Sequence, residues 1–456
     1  MSRKKRNSVL IFWLILAILV GGIVYLYNSK MFERVAPTIS LDDNGYWNLR
    51  KPLHLELSDS SGIKAYQVFI KTSSGQTVLY DEHLIKFQDK IEVKIKPPRS
   101  AYAMNDNNIK IIVKVIDNSK WNFFDGNEAI REFDLIIDKK RPKVNVISNS
   151  YKISKGGSAL VIFKAKDENL KDIYIETNYG KKFKVEPFYK DGYYISLLAW
   201  PVTEKTFRAN IIVNDEAGNS SKSYIPLYLK NKPYRVSHIK IKDRFLKGKI
   251  ADLAYEFVET QGVDDPLKQF KIINEDIRAK NEKLIHTITS KVSDEMISDF
   301  KINKMYPLKN AQVVAHFGDH RMYSYNGKPI SEAYHVGLDL ASNSLAEIKP
   351  QNGGVVVYAD YNGLYGNMPI IDHGLGLYTL YGHCSSIVVN VGDTIRPREV
   401  IARTGKSGYA MGDHLHFGVL VQGIEVRPQE WMDKTWIKLN ITNVIKDAKK
   451  LINRAG

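Results

Sequence analysis

The sequence contains a single cysteine among its 456 residues, so no disulfide can form within the chain. That shortage is compatible with the cytosol, or with an export route that does not rely on disulfides. Acidic residues are also in deficit, since 66 Lys and Arg face 50 Asp and Glu and give a formal net charge of +16. A basic chain favours an anionic partner such as nucleic acid, a membrane surface or a wall polymer. The Lys and Arg residues are scattered rather than clustered with aromatics, so we expect no nucleic-acid partner.

The sequence lacks any HExxH motif, which excludes a helical zinc protease of that type. Composition excludes wholesale disorder, because 44% of the residues are hydrophobic and 25% are charged. A chain of 456 residues is too long for one ordinary domain and predicts two to four.

One long apolar run stands at the N-terminus, from Val9 to Tyr27, and follows the basic segment SRKKRNS. At about 1.5 Å per residue, the run can just span a hydrocarbon core about 30 Å thick. The preceding cations, at residues 3–6, should stay cytoplasmic and place the rest of the chain outside. A cleaved signal peptide is the rival, but it would need a small-x-small site, and YLYNSKMFERV offers none.

Residues 36–231 are predicted to form β structure, because apolar and polar residues alternate in several short segments. Examples are LHLEL at 53–57, IKIIVKVID at 109–117, FDLIID at 133–138 and ANIIVND at 209–215. Similar segments recur at offsets of about 100 residues, the length of a seven-strand sandwich. We therefore expect two immunoglobulin-like β-sandwiches, 36–138 and 139–231, which serve as spacers first and as ligand binders second.

Residues 232–308 are predicted to be a helical connector, in which Asp265 caps a helix that begins at Pro266. Its apolar stripe is predicted at Phe270, Ile273, Ile277 and Leu284, and the segment could regulate the domain that follows.

Residues 309–433 are glycine-rich and are predicted to form many short strands. Residues 434–456 should hold a basic amphipathic helix that packs on a neighbouring domain or, alternatively, lies on a membrane surface.

The histidines are concentrated, because seven of the 11 lie between His316 and His416. In HVGLDLA, at 335–341, a single strand would place His335 and Asp339 on one face with Gly337 between them. In HLHFGV, at 414–419, His414 and His416 would share a face opposite Leu415 and Phe417. With His383, these groups could hold a catalytic zinc ion, but spacing alone equally allows satisfied core histidines.

The stretch 311–430 resembles the LytM/lysostaphin-type zinc metallopeptidases, metallopeptidase family twenty-three. The matching segments are FGDHRMY (317–323), YHVGLDLAS (334–342), GGVVVYAD (353–360), YGNMPIIDHGLGLYTLYGHCSSI (365–387), VGDTIRPREVIARTGKSG (391–408) and GDHLHFGVLVQGIEVRP (412–428). The resemblance implies an antiparallel β peptidase domain, so the whole chain is expected to be mainly β.

Carried over by motif, the resemblance makes His335, Asp339 and His416 the ligands of Zn²⁺. It makes His414 the general base and His383 a second catalytic histidine that holds water or the oxyanion. Cys384 stands where the family usually has leucine, and it is expected to be small and buried rather than a ligand. His316, His320 and His373 are expected to be structural.

These features together predict a single-pass protein of the cytoplasmic membrane, anchored through residues 9–27 of the segment 1–35, with its bulk periplasmic or extracellular. Its predicted activity is hydrolysis of peptide cross-links in bacterial peptidoglycan, at D-Ala to diamino-acid bonds, in wall remodelling or cell shape. One rival is a non-catalytic wall-binding or hydrolase-activating protein on the same fold. Another is an adhesin in which the two sandwiches are the functional part.

Overall fold

The computed structural model describes the backbone of residues 3–98 and 106–455 and the side chains of 9–98 and 106–454. The side chains of the predicted cytoplasmic cations, residues 3–6, therefore lie outside the described part. The chain is mainly β, as predicted, and divides into two compact units. One unit is residues 1–142 with two short stretches, 168–171 and 214–220, and the other holds the remaining residues.

The first unit begins with a helix, Arg3–Asn28, whose apolar part matches the predicted anchor. Residues Val9–Asn28 have a mean hydropathy of 2.8, and none of that stretch is buried against the protein. By length and composition this helix can cross a membrane, although a signal sequence would meet the same criteria. A short 3₁₀ turn, Lys30–Phe32, follows it.

The rest of the first unit is one six-stranded sheet around an aliphatic core. The long strand Leu53–Thr72 changes partners between Ser58 and Ile63, pairing first with Thr38–Asp42 and then with Asn108–Asp117. The immunoglobulin-like assignment therefore stays a prediction for this domain. The strands are Thr38–Asp42, Tyr46–Trp47, Leu53–Thr72, Gly75–Ile95, Asn108–Asp117 and Glu128–Ile137.

The second β region contains two four-stranded sheets, which is the layering expected of a sandwich. One sheet has the order Lys182–Lys184, Leu170–Thr177, Ala209–Asp215, Ser220–Tyr224. The other has the order Glu186–Pro187, Tyr193–Ala199, Ser158–Lys166, Lys143–Asn149. A two-stranded parallel pair, Lys152–Ser154 with Tyr228–Lys230, lies beside them.

The connector is helical, as predicted, and the side chain of Asp265 caps its main helix by accepting from the Leu267 N–H at 2.9 Å. Its first element is a strand, Val236–Lys240, that pairs in parallel with Asp319–Tyr325 of the following domain. The helical segments are Asp243–Phe245, Leu246–Ile250, Ala251–Glu256, Val258–Thr260, Pro266–Ile272, Ile273–Ile277 and Arg278–Thr289.

The predicted apolar stripe of the connector is right at three positions and wrong at the fourth. Phe270, Ile273 and Ile277 are buried, but Leu284 is 40% exposed and Ile285 is buried in its place. The cause is the wide π-type turn at Ile273–Ile277, which accommodates one extra residue and shifts the phase of the helix after it.

The C-terminal domain holds an eight-stranded sheet and a three-stranded sheet that carry the candidate site. The larger sheet has the order Gln312–Ala315, Leu338–Ala341, Leu415–Val421, Leu377–Gly382, Asn367–Asp372, Gly354–Tyr361, Thr394–Ile395, with Ile424–Val426 paired to Leu415–Val421. The second sheet has three strands, the connector strand Val236–Lys240, Asp319–Tyr325 and Lys328–His335. A small third sheet consists of Glu347–Ile348, Ala402–Arg403 and Ser386–Ile387. A 3₁₀ turn spans Gly363–Tyr365.

Connector and C-terminal domain share one hydrophobic core. Connector side chains such as Phe270 and Ile285 belong to the same buried cluster as Leu380 and Leu420 of the large sheet. Removal of the connector would expose that apolar surface to water, which is unfavourable. The connector is therefore part of the support of the site, while a regulatory role for it stays a prediction.

The chain ends in helical segments Pro428–Trp431, Lys434–Ile437, Lys438–Thr442 and Asn443–Ala455. The last one is the predicted amphipathic helix, and the expected apolar residues Val444, Ile445, Ala448 and Ile452 are all buried. It contacts the strands Lys143–Asn149 and Ser158–Lys166. The expectation that it packs on a neighbouring domain is confirmed.

The shifted phase of the connector helix can be tested with two adjacent substitutions. Ile285→Ala should lower the free energy of unfolding of the C-terminal unit by about 2–5 kcal/mol, because it leaves a cavity in the shared core. Leu284→Ala, one position earlier, should cost less than about 1 kcal/mol because that side chain keeps partial exposure. Denaturant midpoints of the full-length protein in detergent measure both, and equal losses would contradict the shift.

Candidate metal centre

Three side chains converge, two from adjacent strands of the large sheet and one from the sheet that contains Asp319–Tyr325. His335 is the last residue of Lys328–His335, Asp339 lies in Leu338–Ala341, and His416 lies in Leu415–Val421. The last two strands are antiparallel neighbours, and their register places Asp339 directly opposite His416. Leu415 and Phe417, on the other face of their strand, are fully buried and anchor it in the core.

The prediction that residues 335–341 form a single strand is wrong. The chain leaves the second sheet at His335 and enters the large sheet at Leu338, and Val336 and Gly337 between them are outside any strand. His335 and Asp339 meet because the chain changes sheets between them, not because they alternate along one strand. Gly337 is needed at this crossing, because a Cβ there would overlap the ring of His416.

The ligand-type atoms of these residues lie close together. Asp339 Oδ1 is 3.0 Å from His335 Nε2 and 2.9 Å from His416 Nδ1, and the two nitrogens are 3.2 Å apart. Donors that surround a zinc ion tetrahedrally at about 2.0–2.1 Å stand roughly 3.3 Å from one another. The three atoms therefore fit three corners of such a site, and all three residues are more than 90% buried.

The orientation of His335 is fixed from behind by the backbone. Its Nδ1 is 2.9 Å from the carbonyl oxygen of His316, which can only accept a hydrogen bond. The proton therefore sits on Nδ1, and the Nε2 lone pair points at Asp339 and His416, as a metal ligand requires. His316 was expected to be structural, and it contributes its carbonyl group, a role that side-chain motifs do not reveal.

His414 and His383 lie beside this cluster in matching tautomers. Their Nδ1 atoms donate to the carbonyls of Gly412 at 2.8 Å and Ser407 at 2.9 Å. Each Nε2 therefore carries a lone pair, and that of His414 is 3.7 Å from Asp339 Oδ2. The two rings have centroids 4.8 Å apart. The structure thus brings all five predicted site residues together.

The protonation states suit metal binding. Burial would raise the pKa of Asp339, but its electrostatic interactions with His335 and His416 outweigh burial and hold that pKa well below its usual range. Burial lowers the pKa of His383 to about 3, and the neighbouring His416 and His414 act in the same direction. The carboxylate is therefore ionised and His383 is neutral at physiological pH.

These residues line an open cleft of about 410 Å³. The cleft also contains side chains that the sequence pattern did not identify, namely Arg278 from the connector and Arg321, Tyr365 and Tyr409 from the C-terminal domain. Arg278 is held by Asn274, through its backbone oxygen at 3.1 Å and its side-chain oxygen at 2.9 Å. No local motif marks Arg278, because only the packing of the connector brings it to the cleft.

The residues expected to be outside the site are outside it. Cys384 is fully buried and its thiol donates to the Tyr381 carbonyl at 3.2 Å, which is consistent with a small core side chain. The ring nitrogens of His373 form hydrogen bonds with the Gly353 carbonyl and the Thr379 hydroxyl. His320 stacks on Tyr334 and lies 2.9 Å from a carboxylate oxygen of Glu332.

Comparison with known proteins identifies this domain. Residues 333–428 match the model of Peptidase family M23. The murein hydrolase activator EnvC of Escherichia coli strain K12 is 34% identical over 98 residues, which is 22% of this chain and 23% of that protein. The DD-carboxypeptidase/endopeptidase Mpg of Neisseria meningitidis serogroup B is 32% identical over 108 residues, 23% of this chain and 25% of that protein.

The chain thus covers about a quarter of the length of these relatives, one of which is named as an enzyme and the other as an activator. Among solved structures, the catalytic domain of the antimicrobial peptidase lysostaphin from Staphylococcus simulans is 25% identical. That match has a TM-score of 0.24 and covers 27% of this chain and 92% of that domain.

The role of Gly337 gives a test of the geometry. Gly337→Ala should push the His416 ring out of place and weaken zinc binding by roughly 10–100-fold, the usual effect of disturbing groups that orient a ligand. Gly412→Ala is the matched control, because a Cβ there meets no atom within 4 Å. Competition with a chromogenic chelator measures both affinities. An unchanged affinity in Gly337→Ala would contradict the close approach.

Proposed function

Because residues 333–428 form a domain of peptidase family M23, we propose that this protein is a membrane-anchored zinc endopeptidase of bacterial peptidoglycan. The observation that carries the proposal is the convergence of His335, Asp339 and His416, with His383 and His414 beside them in one open cleft. A buried cluster of two imidazoles and a carboxylate has the donor set of a catalytic zinc site that keeps one position free.

In this proposal His335 Nε2, Asp339 and His416 Nδ1 hold Zn²⁺. When bound, the ion would polarise a substrate carbonyl and lower the pKa of a water molecule. Asp339 supplies negative charge beside the two imidazole nitrogens, and the backbone carbonyl of His316 keeps the His335 Nε2 directed inward.

His414 is the proposed general base. Its Nε2 carries a lone pair and lies near Asp339, while its Nδ1–H is held by the Gly412 carbonyl. That tautomer can take a proton from a water molecule in the cleft and pass it later to the leaving amine. Because the ring is already oriented, little rearrangement is needed when the proton moves.

His383 is the proposed second catalytic histidine. Its tautomer favours binding of a water molecule over support of an oxyanion. With the proton on Nδ1 donated to Ser407, and with a pKa of about 3, its Nε2 is an acceptor. It can therefore orient a water molecule by accepting a hydrogen bond. Support of an oxyanion by this ring would first require a proton on Nε2.

The cleft supports a substrate with a free carboxylate. Arg278 and Arg321 both line it, and their side chains are 19% and 26% exposed. Guanidinium groups bind carboxylates through paired hydrogen bonds. This favours the proposed D-Ala to diamino-acid cross-link, because stem peptides carry free carboxylates, whereas a glycine bridge has no charged side chain.

A hydrolase activator is the alternative function, and EnvC is similar to the same part of the chain. The two functions differ in what they require of the site. An enzyme needs ligand and proton-transfer groups together, and the five side chains described above meet that requirement. An activator would not need them.

Substitution of the five residues tests the assignment. His335→Ala, Asp339→Ala and His416→Ala should lose zinc and activity together, because each removes a ligand. His414→Ala and His383→Ala should keep most of the zinc but lose roughly 10²–10⁴-fold in rate, the usual contribution of a positioned acid or base. Elemental analysis gives zinc content, and mass spectrometry of digested cross-linked muropeptides gives rate and bond.

Two results would count against the proposal. Loss of zinc from His414→Ala with retention in His335→Ala would overturn the ligand assignment. Unchanged muropeptide release in all five variants would remove the hydrolase function and leave the activator in its place. Cys384→Ser serves as the control, since its thiol is buried outside the cleft.

The anchor is proposed to place the catalytic domain outside the cytoplasm in a single pass. Alkaline phosphatase fused after residue 60 should be active, because it folds only when exported and the basic residues 3–6 should keep the N-terminus inside. A fusion that lacks the stretch Val9–Asn28 is the control and should be inactive. Activity confined to a cytoplasmic reporter at the same position would show the opposite topology.

A further inference from the structure

One loop of the first β domain displays its aromatic side chains to solvent. We call residues 119–126, between the strands Asn108–Asp117 and Glu128–Ile137, the aromatic loop. Phe123 is 94% exposed, Phe124 67% and Trp121 41%. Single exposed apolar residues are normal on protein surfaces, but three large ones within four positions form a patch that marks an interaction surface.

The backbone of the aromatic loop adopts an unfavourable conformation that turns these rings outward. Asn122, Phe123 and Phe124 have φ angles of 56°, 56° and 75°, in the left-handed region. That region costs about 1–2 kcal/mol for each residue with a side chain. The turn is closed by hydrogen bonds from Asp125 N to Asn122 O and from Gly126 N to Trp121 O. Local strain of this kind is typical of functional loops.

The aromatic loop is fastened to the chain that leaves the apolar helix. Lys120 N donates to the Met31 carbonyl at 2.7 Å, three residues after the helix ends at Asn28. The Ser119 hydroxyl and the Asn127 amide both donate to the Glu33 carbonyl, at 2.7 and 3.1 Å. These bonds fix the base of the loop at the end of the helix.

The Arg34 guanidinium lies between two aromatic rings and thereby fixes the position of the aromatic loop along the axis of the apolar helix. The Arg34 guanidinium lies 4.5 Å from the ring centroid of Tyr27 and 4.3 Å from that of Trp121. Tyr27 is the penultimate residue of the apolar stretch Val9–Asn28. When that stretch crosses a membrane, Tyr27 lies at the interface, and Trp121 must lie at nearly the same depth.

We propose that the aromatic loop inserts into the outer interface of the membrane that the anchor helix crosses. Trp and Tyr favour this zone because their rings are apolar and carry one polar group, and Phe123 and Phe124 can reach slightly deeper. Lys120 can extend toward the phosphates of the lipid headgroups. The inference rests on the anchor in the proposed function and adds a second attachment to it.

Two attachments have a consequence that one helix cannot provide. A domain on a single helix can rotate about the helix axis, whereas a second contact at the membrane removes that freedom. The first β domain would then stand in one orientation on the membrane. The lost rotational freedom is offset by burial of the three aromatic side chains in the interface.

Fluorescent labels at single cysteines can test the insertion in the full-length protein reconstituted into phosphatidylethanolamine–phosphatidylglycerol vesicles. Native Cys384 is fully buried, and burial raises its pKa to about 12, so it should not compete for the label. Phe124→Cys carries the label in the loop. Nitroxide lipids quench from the membrane, and iodide quenches from water.

Val78→Cys is the matched control in the same domain. Val78 is 53% exposed and pairs with Phe69, which pairs on its other side with Ile112. Ile112 is five residues before Asp117, the end of the strand that leads into the aromatic loop. That separation is about 16 Å along the strand. Leu16→Cys, in the apolar helix, reports on the anchor independently.

We expect nitroxide lipids to quench the label at Phe124 and at Leu16 but not at Val78, and iodide to quench only Val78. Quenching at Leu16 with a water-accessible Phe124 would overturn the inserted loop while leaving the anchor intact, and would make the patch a surface for a protein partner. A label at Leu16 that lipids do not quench would overturn the anchor and the inference with it.

Discussion

The pairing of Leu338–Ala341 with Leu415–Val421 is the constraint on which the candidate site depends. It sets Asp339 opposite His416, and a slip of one residue would turn one of the two side chains to the opposite face. The core prevents that slip, because Leu415 and Phe417 alternate with His416 and are buried on the other side. The arrangement of the polar groups is therefore maintained by apolar packing.

The backbone of the surrounding loops completes the site. Carbonyl groups of His316, Gly412 and Ser407 each accept a hydrogen bond from a histidine Nδ1. All three rings consequently present an unprotonated Nε2, which can bind a metal or accept a proton. Because those carbonyls come from two separate loops, one with His316 and one with Ser407 and Gly412, the chemistry of the site depends on the fold of the C-terminal domain.

The parts of the chain outside that domain have distinct physical roles. The connector contributes apolar side chains to the core beneath the sheet and one guanidinium, Arg278, to the cleft. The first β domain holds an aromatic loop against the chain segment that follows the apolar helix. The connector therefore bears on the shape of the cleft, and the first β domain on the proposed contact with a membrane.

Short segments of the sequence are enough to predict many of the individual elements of the structure. The apolar N-terminal stretch, the alternating strands, the helix cap at Asp265 and the buried face of the last helix follow from short-range periodicity and side-chain chemistry. The five residues of the candidate site were identifiable because they fall in two short motifs and a third segment, YGHCSS, that resemble a known family. Their proposed catalytic roles rest on that resemblance and on the geometry together.

Tertiary structure alone decided the rest. The sequence could not show that the chain changes sheets at Gly337, since HVGLDLA alternates well enough to pass for one strand, and only the position of the His416 ring excludes a side chain there. It could not show the burial of Ile285 in place of Leu284, because the wide turn that shifts the helix depends on packing against the domain. Arg278 meets Tyr409, with its guanidinium 6.0 Å from the centre of that ring, and Trp121 meets Arg34 at 4.3 Å. The partners in each pair are far apart in the sequence. Local patterns determine which face of an element is apolar, but the closure of distant segments onto one another determines which polar groups meet.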